Sequence, residues 1–487
     1  MAASAISSCP SLPIAHRRPT HILCQQQLPT GRRSAGHRDW RHGPRSQVTK
    51  TSSGHYDGEL AARWREIHGS GNWEGLLDPI DPVLRAELIR YGEFAQATYD
   101  SFDYDRFSPY SGSCRYPAKT FFQDVGLAGV GYEVSRYLYA TSNDLKLPNF
   151  GNLKHKSADD KLWSESGTFI GYVAVSTDEE TACIGRRDIA VAWRGTITRL
   201  EWVADLKTKK PLVEMGVPCP DPSVKVEMGF AELYTGKDVD CRFCRYSARE
   251  QALAEVRKLV ELYHGRGEEV SVTVTGHSLG SALAMLNAFN IAETGANATP
   301  DDGSTAPVCV FSFAGPRVGN LSFRRRFERE LGVRALRVVN VHDGVPKVPG
   351  AFFNEAAFPE PVLRAVDVLG VGGVYTHLGV PLELDHKASP FLKDTIDITQ
   401  HLHLLDGFRG RGGGFEPRGR DPALVNKSTD FLRDEHMVPP VWYQAENKGM
   451  VRAEDGRWVL LPRHRDIDEH PEDTDHHLQR LGLTASS

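Results

Sequence analysis

A serine flanked by glycines is the clearest chemical signal in the chain. Gly276-His277-Ser278-Leu279-Gly280 is preceded by Ser271-Val272-Thr273-Val274-Thr275 and followed by Ser281-Ala282-Leu283-Ala284-Met285-Leu286. The first run reads as a strand and the second as the start of a helix, so the pentapeptide occupies a strand-to-helix turn. Such a turn needs room, which Gly276 and Gly280 supply by lacking a Cβ, and it lifts the hydroxyl of Ser278 above the end of the strand. A serine placed in this way is a nucleophile toward acyl groups. The backbone N–H groups at the helix start are donors to any negative charge that develops beside it.

Acyl transfer demands further parts. Two N–H donors must face the oxyanion, and Leu279, directly after the nucleophile, supplies one of them. The second comes from a loop after an earlier strand. Ile189-Ala190-Val191-Ala192-Trp193 is such a strand, and Arg194-Gly195-Thr196 follows it. A base and an orienting carboxylate are also required, and at this kind of turn they come after the serine, carboxylate first. The run Leu336 to Val341 reads as a strand that leads into His342-Asp343-Gly344-Val345-Pro346, which sets Asp343 on the same rim as Ser278. An Asp before Gly is also a common turn former, so the residue type leaves that reading open. The base is harder to choose. His377, His386, His401, His403, His436, His464, His470, His476 and His477 all lie downstream, and chain order alone does not decide among them.

The elements that must carry these groups recur along the chain. Strand-like runs fall at Phe169 to Val175, Asp188 to Trp193, Ser271 to Thr275, Val308 to Phe313 and Ala335 to Val341. Several are apolar without alternation, as strands covered on both faces are. Helical spacing marks Ser247 to Tyr263, Ser281 to Ala296 and Ser322 to Leu331, and earlier the surface helices near Trp64 and from Pro82 through Ala97. Strands alternating with helices indicate an α/β fold with a mainly parallel central sheet and helices on both faces, and the serine turn at a strand end is similar to that of the α/β-hydrolase fold. Asn297 to Pro307 and Arg409 to Gly414 read as flexible connections.

Composition narrows the function further. The chain has 487 residues, 40% hydrophobic and 25% charged, with no run of the roughly 20 apolar residues that a membrane helix needs. Residues 1–50 carry seven Arg and Lys50 against Asp39, a net +7, so the remainder of a chain whose total is −5 stands at −12. That basic, Ser- and Pro-containing start without an apolar core has the composition of a transit peptide, and the acidic remainder argues against nucleic acid as a partner. Eight Cys without framework spacing suit a reducing or redox-variable compartment. Cys241-Arg242-Phe243-Cys244 lacks the second pair that zinc would require and reads as an ordinary loop. The expected organisation is a transit segment over 1–50 and one α/β domain over 51–487. That domain has a helical N-terminal extension (51–165) and a C-terminal extension (409–487).

Trp193-Arg194-Gly195-Thr196, followed by Glu201-Trp202-Val203-Ala204-Asp205-Leu206, resembles the oxyanion loop and lid of class 3, fungal-type lipases. The resemblance assigns the second donor to Thr196 and makes Trp202, Val203 and Leu206 the apolar face of a mobile lid over about 198–212. It also places the catalytic aspartate at Asp343. Further blocks are similar to a narrower group, the plastid phospholipases A1 of plants (type I). They include Trp64-Arg65-Glu66-Ile67, Glu87-Leu88-Ile89-Arg90-Tyr91-Gly92-Glu93, Asp421-Pro422-Ala423-Leu424-Val425-Asn426-Lys427 and Leu402-His403-Leu404-Leu405-Asp406-Gly407. In that group the catalytic His opens a short helix ahead of the Leu-His-Leu-x-Asp-Gly run. Here the chain is shorter than the family pattern between Asp397 and Leu402. His401 is the residue this favours, with His403 as the substitute and the loss of any functional His as the third possibility. Ser281 stands where many members carry a third Gly.

The resemblance implies sn-1 acyl hydrolysis of membrane glycerolipids, phosphatidylcholine or plastid galactolipids, at a lipid surface, with fatty acid released for jasmonate-type products. It implies a plastid address, with the mitochondrion as the alternative. No cofactor and no metal are expected in this chemistry. A lipase-like scaffold that binds partners without turnover, or acyl transfer to an acceptor other than water, would use the same residues.

Overall fold

The computed structural model describes residues 57–105, 108, 110–141, 164, 166–196, 209–299, 303–350, 362, 374–393, 398–436, 438–443, 450–452 and 458–460. The basic segment 1–50 and the lid residues Trp202, Val203 and Leu206 lie outside them. Val48–Ser487 forms one compact unit.

Helices α1 (Asp57–Ile67), α2 (Pro82–Asp100) and the short α3 (Phe121–Asp124) come first. α2 starts at Asp81, whose side chain accepts from the N–H groups of Val83 and Leu84, with Pro82 in the first turn where no N–H is needed. There follow β1 (Tyr132–Thr141), β2 (Gly167–Ser176), α4 (Asp178–Ile184), β3 (Arg187–Trp193), and the small pair β4 (Lys209–Pro211) and β5 (Lys225–Glu227). Next come α5 (Met228–Thr235), α6 (Ala248–His264), β6 (Val270–His277), α7 (Leu279–Glu293), β7 (Val308–Phe313), α8 (Leu321–Arg325), β8 (Arg334–Asn340), β9 (Val380–Leu384) and α9 (Ile398–Gly407).

Seven strands form one sheet in the order β1-β2-β3-β6-β7-β8-β9. β3, β6, β7, β8 and β9 run parallel, while β1 and β2 add antiparallel pairings at one edge. Alternate residues of each strand feed two cores. Ala190, Ala192, Phe311, Phe313, Leu336 and Val338 meet Leu88, Phe94 and Leu402 of α2 and α9. Ile189, Val191, Val272, Val274 and Val310 meet Val256, Leu283 and Phe289 of α6 and α7. The sheet is therefore covered on both faces, as its uninterrupted apolar strands require.

The Ser-x-Thr alternation of β6 has a use on the α2 face. Ser271 and Thr273 each donate to Asp188 Oδ1 at 2.7 Å, and Tyr91 donates to Oδ2 at 2.9 Å, so this buried carboxylate is satisfied by hydroxyls.

Three departures from the sequence reading have physical causes. The N-terminal extension is not wholly helical, because Tyr132–Thr141 is an edge strand in which Glu133 and Arg136 interrupt an otherwise aromatic and branched run. β9 was also hidden: five residues long, with Pro381 and alternating burial, it has the makings of an edge strand, the one place a sheet tolerates proline. Cys241 and Cys244 are joined as a disulfide, a bridge that the reading of that segment as an ordinary loop did not include.

Candidate active site

β6 delivers the chain to Ser278, and α7 begins at the next residue. Ser278 holds φ 55° and ψ −124°, a backbone state that side-chain-bearing residues seldom occupy and that costs on the order of 1–3 kcal/mol. Neighbouring glycines make the turn possible. A methyl on Gly276 would sit 2.3 Å from the carbonyl oxygen of Gly280, and one on Gly280 would sit 2.3 Å from that of Trp193. The turn is tied to β7 by Ser278 N–H, which donates to Phe313 O at 2.9 Å. Ser281 adds to this tie. Its buried hydroxyl lies 2.6 Å from Gly276 O and 3.0 Å from Phe313 O, and accepts from Phe313 N–H at 3.1 Å. Where a glycine would merely fit, the serine staples the elbow to the adjacent strand.

The loop after β3 lies directly against the elbow. A Cβ on Gly195 would approach His277 O to 2.6 Å and the Tyr99 hydroxyl to 2.2 Å, so only glycine passes between them. Arg194 anchors this loop from below: its guanidinium donates to Phe169 O at 2.9 Å and Gly195 O at 3.0 Å, and stacks 3.8 Å over Phe102. Burial lowers the Arg194 pKa to about 10. Thr196, half-buried, follows at once, and Leu279, buried, offers the first N–H of α7, an amide with no carbonyl one turn back to bond. His277 is held from α2, with its Nδ1 and the Tyr99 hydroxyl hydrogen-bonded at 3.0 Å.

Asp343 lies in the turn after β8, buried, with Oδ1 accepting from Val345 N–H at 2.9 Å. Oδ2 is also buried and has no hydrogen-bond partner among the described residues. Burial pushes the Asp343 carboxyl up, opposed by the Val345 N–H and then by the positive charge that His401 can carry. His401 on α9 is therefore within electrostatic reach of Asp343, and its ring centroid is 6.2 Å from that of His277.

Two residues along a helix are about 200° around its axis, so His401 and His403 face different surroundings. His403 Nε2 is hydrogen-bonded to Ser389 Oγ at 2.9 Å, and its ring packs on Phe391 and Phe415. Burial, then the charge of Arg420, holds its pKa down near 3. His377 is likewise spoken for, with Nε2 2.7 Å from Pro346 O. The arrangement places His401 within electrostatic reach of Asp343 and beside His277, the residue before Ser278, and leaves His403 in the core. α9 is seated by an unusually close approach: a methyl on Gly92 of α2 would fall 2.2 Å from Leu402 Cδ2 and 3.1 Å from Phe313 Cζ.

Residues 190–353 match the family model described as Lipase (class 3). The chain is 55% identical over 433 residues to phospholipase A1-Igamma1, chloroplastic, of Arabidopsis thaliana, covering 87% of this chain and 82% of that protein. It belongs to the phospholipase A1 branch of the class 3 lipases. Phospholipase A1-Igamma2, chloroplastic, of the same plant is 53% identical, with 87% and 80% covered. Phospholipase A1 EG1, chloroplastic/mitochondrial, of Oryza sativa subsp. indica is 47% identical, with 72% and 75% covered.

Within this class 3 lipase the residues missed by sequence reading are Tyr99, Arg194, Gly92 and the hydroxyl of Ser281. Arg194, Gly92 and Ser281 stand in the quoted motifs, but what each does is set by contacts across elements, which no local pattern spells out.

One result is expected at Asp343. A carboxyl whose pKa is raised in the folded state binds its proton more tightly there, so ionising it costs stability as pH rises from the unfolded value through the folded one. Asp343→Asn removes that cost. The variant should melt no lower than the parent at pH 7, lose most of its melting advantage as pH falls toward the ordinary carboxylate value, and yet hydrolyse ester roughly 10⁴-fold more slowly. Melting curves at pH 4 and 7 alongside fatty acid release test both halves; a large loss of stability at pH 7 would contradict the account.

Proposed function

We propose that the chain is a phospholipase A1 that cleaves the sn-1 acyl ester of membrane glycerolipids through a Ser278–His401–Asp343 acyl-enzyme mechanism. What supports the chemistry is the strained Ser278 elbow, with His401 beside His277 and within electrostatic reach of Asp343. The names of the 47–55% identical relatives carry the substrate class.

His401 takes the Ser278 proton as Oγ attacks the ester carbonyl, and the oxyanion is received by the N–H groups of Leu279 and Thr196. Collapse breaks the bond to the glycerol oxygen, which leaves as an alcohol with the proton from His401. Water, giving a proton to His401, then attacks the acyl-Ser278 ester and frees the fatty acid, a precursor suited to oxylipin synthesis. Asp343 holds the imidazole and stabilises its charged form.

In this reading the glycerolipid substrate is met at the surface of a bilayer; no helix among the described residues is long and apolar enough to cross a membrane. The basic first fifty residues and the chloroplastic names of the relatives support delivery to the plastid.

Vesicles of phosphatidylcholine or monogalactosyl diacylglycerol with different acyl chains at sn-1 and sn-2 test the reading. The sn-1 acid should be released in clear excess over both the sn-2 acid and a Ser278→Ala blank. Release from sn-2 alone overturns the positional assignment, and no release above the blank overturns the enzyme.

A further inference from the structure

Parallel pairing of β8 and β9 places their C-terminal ends side by side, with Asn340 opposite Leu384 and Val341 N–H donating to Leu384 O at 3.0 Å. The residues that leave these two ends are His342 on one and Asp385 and His386 on the other. Each offers one ligand atom, and the three atoms all lie within 4.8 Å of one another. We propose that His342, Asp385 and His386 form a site for a zinc ion, beside the triad and distinct from it.

Two imidazoles and a carboxylate are a donor set that zinc accepts with three protein ligands, leaving a fourth position for water. Ligand bonds of about 2.0–2.1 Å in a tetrahedron put neighbouring donors about 3.3 Å apart. His342 Nε2 and Asp385 Oδ1 already stand at 3.2 Å, so most of the closing needed falls to His386. The His342 and His386 rings meet edge to face at 4.9 Å between centroids.

The surroundings have the form of a supported ligand set. His386 Nδ1 faces the side-chain amide of Asn340, whose oxygen stands 3.4 Å away to accept an Nδ1–H and leave Nε2 for the ion, and the same oxygen accepts from the His342 backbone N–H at 3.2 Å. One side chain thus orients the His386 ring and ties down the backbone of His342, a support of the kind that metal-bound histidines have. Asp385 Oδ1 also accepts from Lys387 N–H at 2.9 Å, which steadies the carboxylate. His386 is buried while His342 and Asp385 are exposed, so an ion has a supported floor and an open approach. Nitrogen ligands favour zinc over magnesium and calcium, which prefer oxygen throughout.

The site adjoins the chemistry without taking part in it. His342 is the residue before Asp343, so an ion joining it to the β9 end would stiffen the turn that carries the aspartate. The catalytic cycle still uses no metal, and this proposal does not rest on that cycle, because zinc binding is read on the inactive chain.

The test is titration of the metal-free Ser278→Ala chain with zinc chloride, by calorimetry and by thermal melting. Calcium chloride serves as the control, and His342→Ala and Asp385→Asn are titrated in parallel. One equivalent bound with a rise in melting temperature, weakened at least tenfold in both variants and absent with calcium, is the expected result. Both substitutions are at exposed positions and should leave the melt of the metal-free chain unchanged. Equal zinc binding in parent and His342→Ala, as would arise from His470, His476 and His477, overturns the proposal. So does the absence of a saturable equivalent in the parent.

Discussion

Ser278→Ala is expected to abolish phospholipid hydrolysis, by roughly 10⁵–10⁶-fold in kcat, while the protein melts as before. Loss of activity follows from removing the only atom that bonds to the acyl carbon. Retained stability follows from the structure: the backbone N–H of residue 278 makes the tie to Phe313, and the staple between elbow and β7 belongs to Ser281. Alanine keeps both. Ser278→Gly gives a second readout, because glycine adopts φ near +55° without strain, and this variant should be at least as stable as the parent. Residual hydrolysis by Ser278→Ala within tenfold of the parent would show that another nucleophile does the work.

The second large effect separates two histidines of one helix. His401→Ala should lower kcat by roughly 10⁴–10⁶-fold with little change in KM, since it removes the group that accepts the proton from Ser278. His403→Gln should retain kcat within about tenfold. It should lose roughly 1–3 kcal/mol of stability, because the ring packing on Phe391 and Phe415 goes and the bond to Ser389 is at best remade poorly. A pH profile adds a check that a structural role would not move: the rise of kcat with pH should persist in His403→Gln with its midpoint unchanged. Activity in His401→Ala together with inactivity in His403→Gln would reverse the assignment and leave the fold untouched.

These two histidines also mark where sequence stopped being legible. The elbow could be read because every requirement is local: a strand, a turn with glycines at both ends, and a helix, all within about fifteen residues. The central strands could be read because burial on both faces leaves uninterrupted apolar runs. β1 and β9 escaped because edge strands admit charge and proline, and those residues mask the pattern.

Choosing between His401 and His403 requires the rotation of α9 about its axis. That rotation is set by what Leu402 packs against, a contact between residues some three hundred positions apart in the chain. Similarly, nothing in the spelling of Cys241-Arg242-Phe243-Cys244 distinguishes two thiols from a bridge, because the pairing depends on how that turn folds.

The notch that Gly92 offers to Leu402 bears on how such chains diverge. A helix clipped sideways into its neighbour keeps its station whatever the length of the lead that runs into it, so residues ahead of α9 can be lost while His401 stays within electrostatic reach of Asp343. Homologous columns in an alignment then cease to coincide with homologous points in space at this one place. A relative that looks stripped of its base by column matching deserves inspection of its small residue on α2 before it is counted among the inactive.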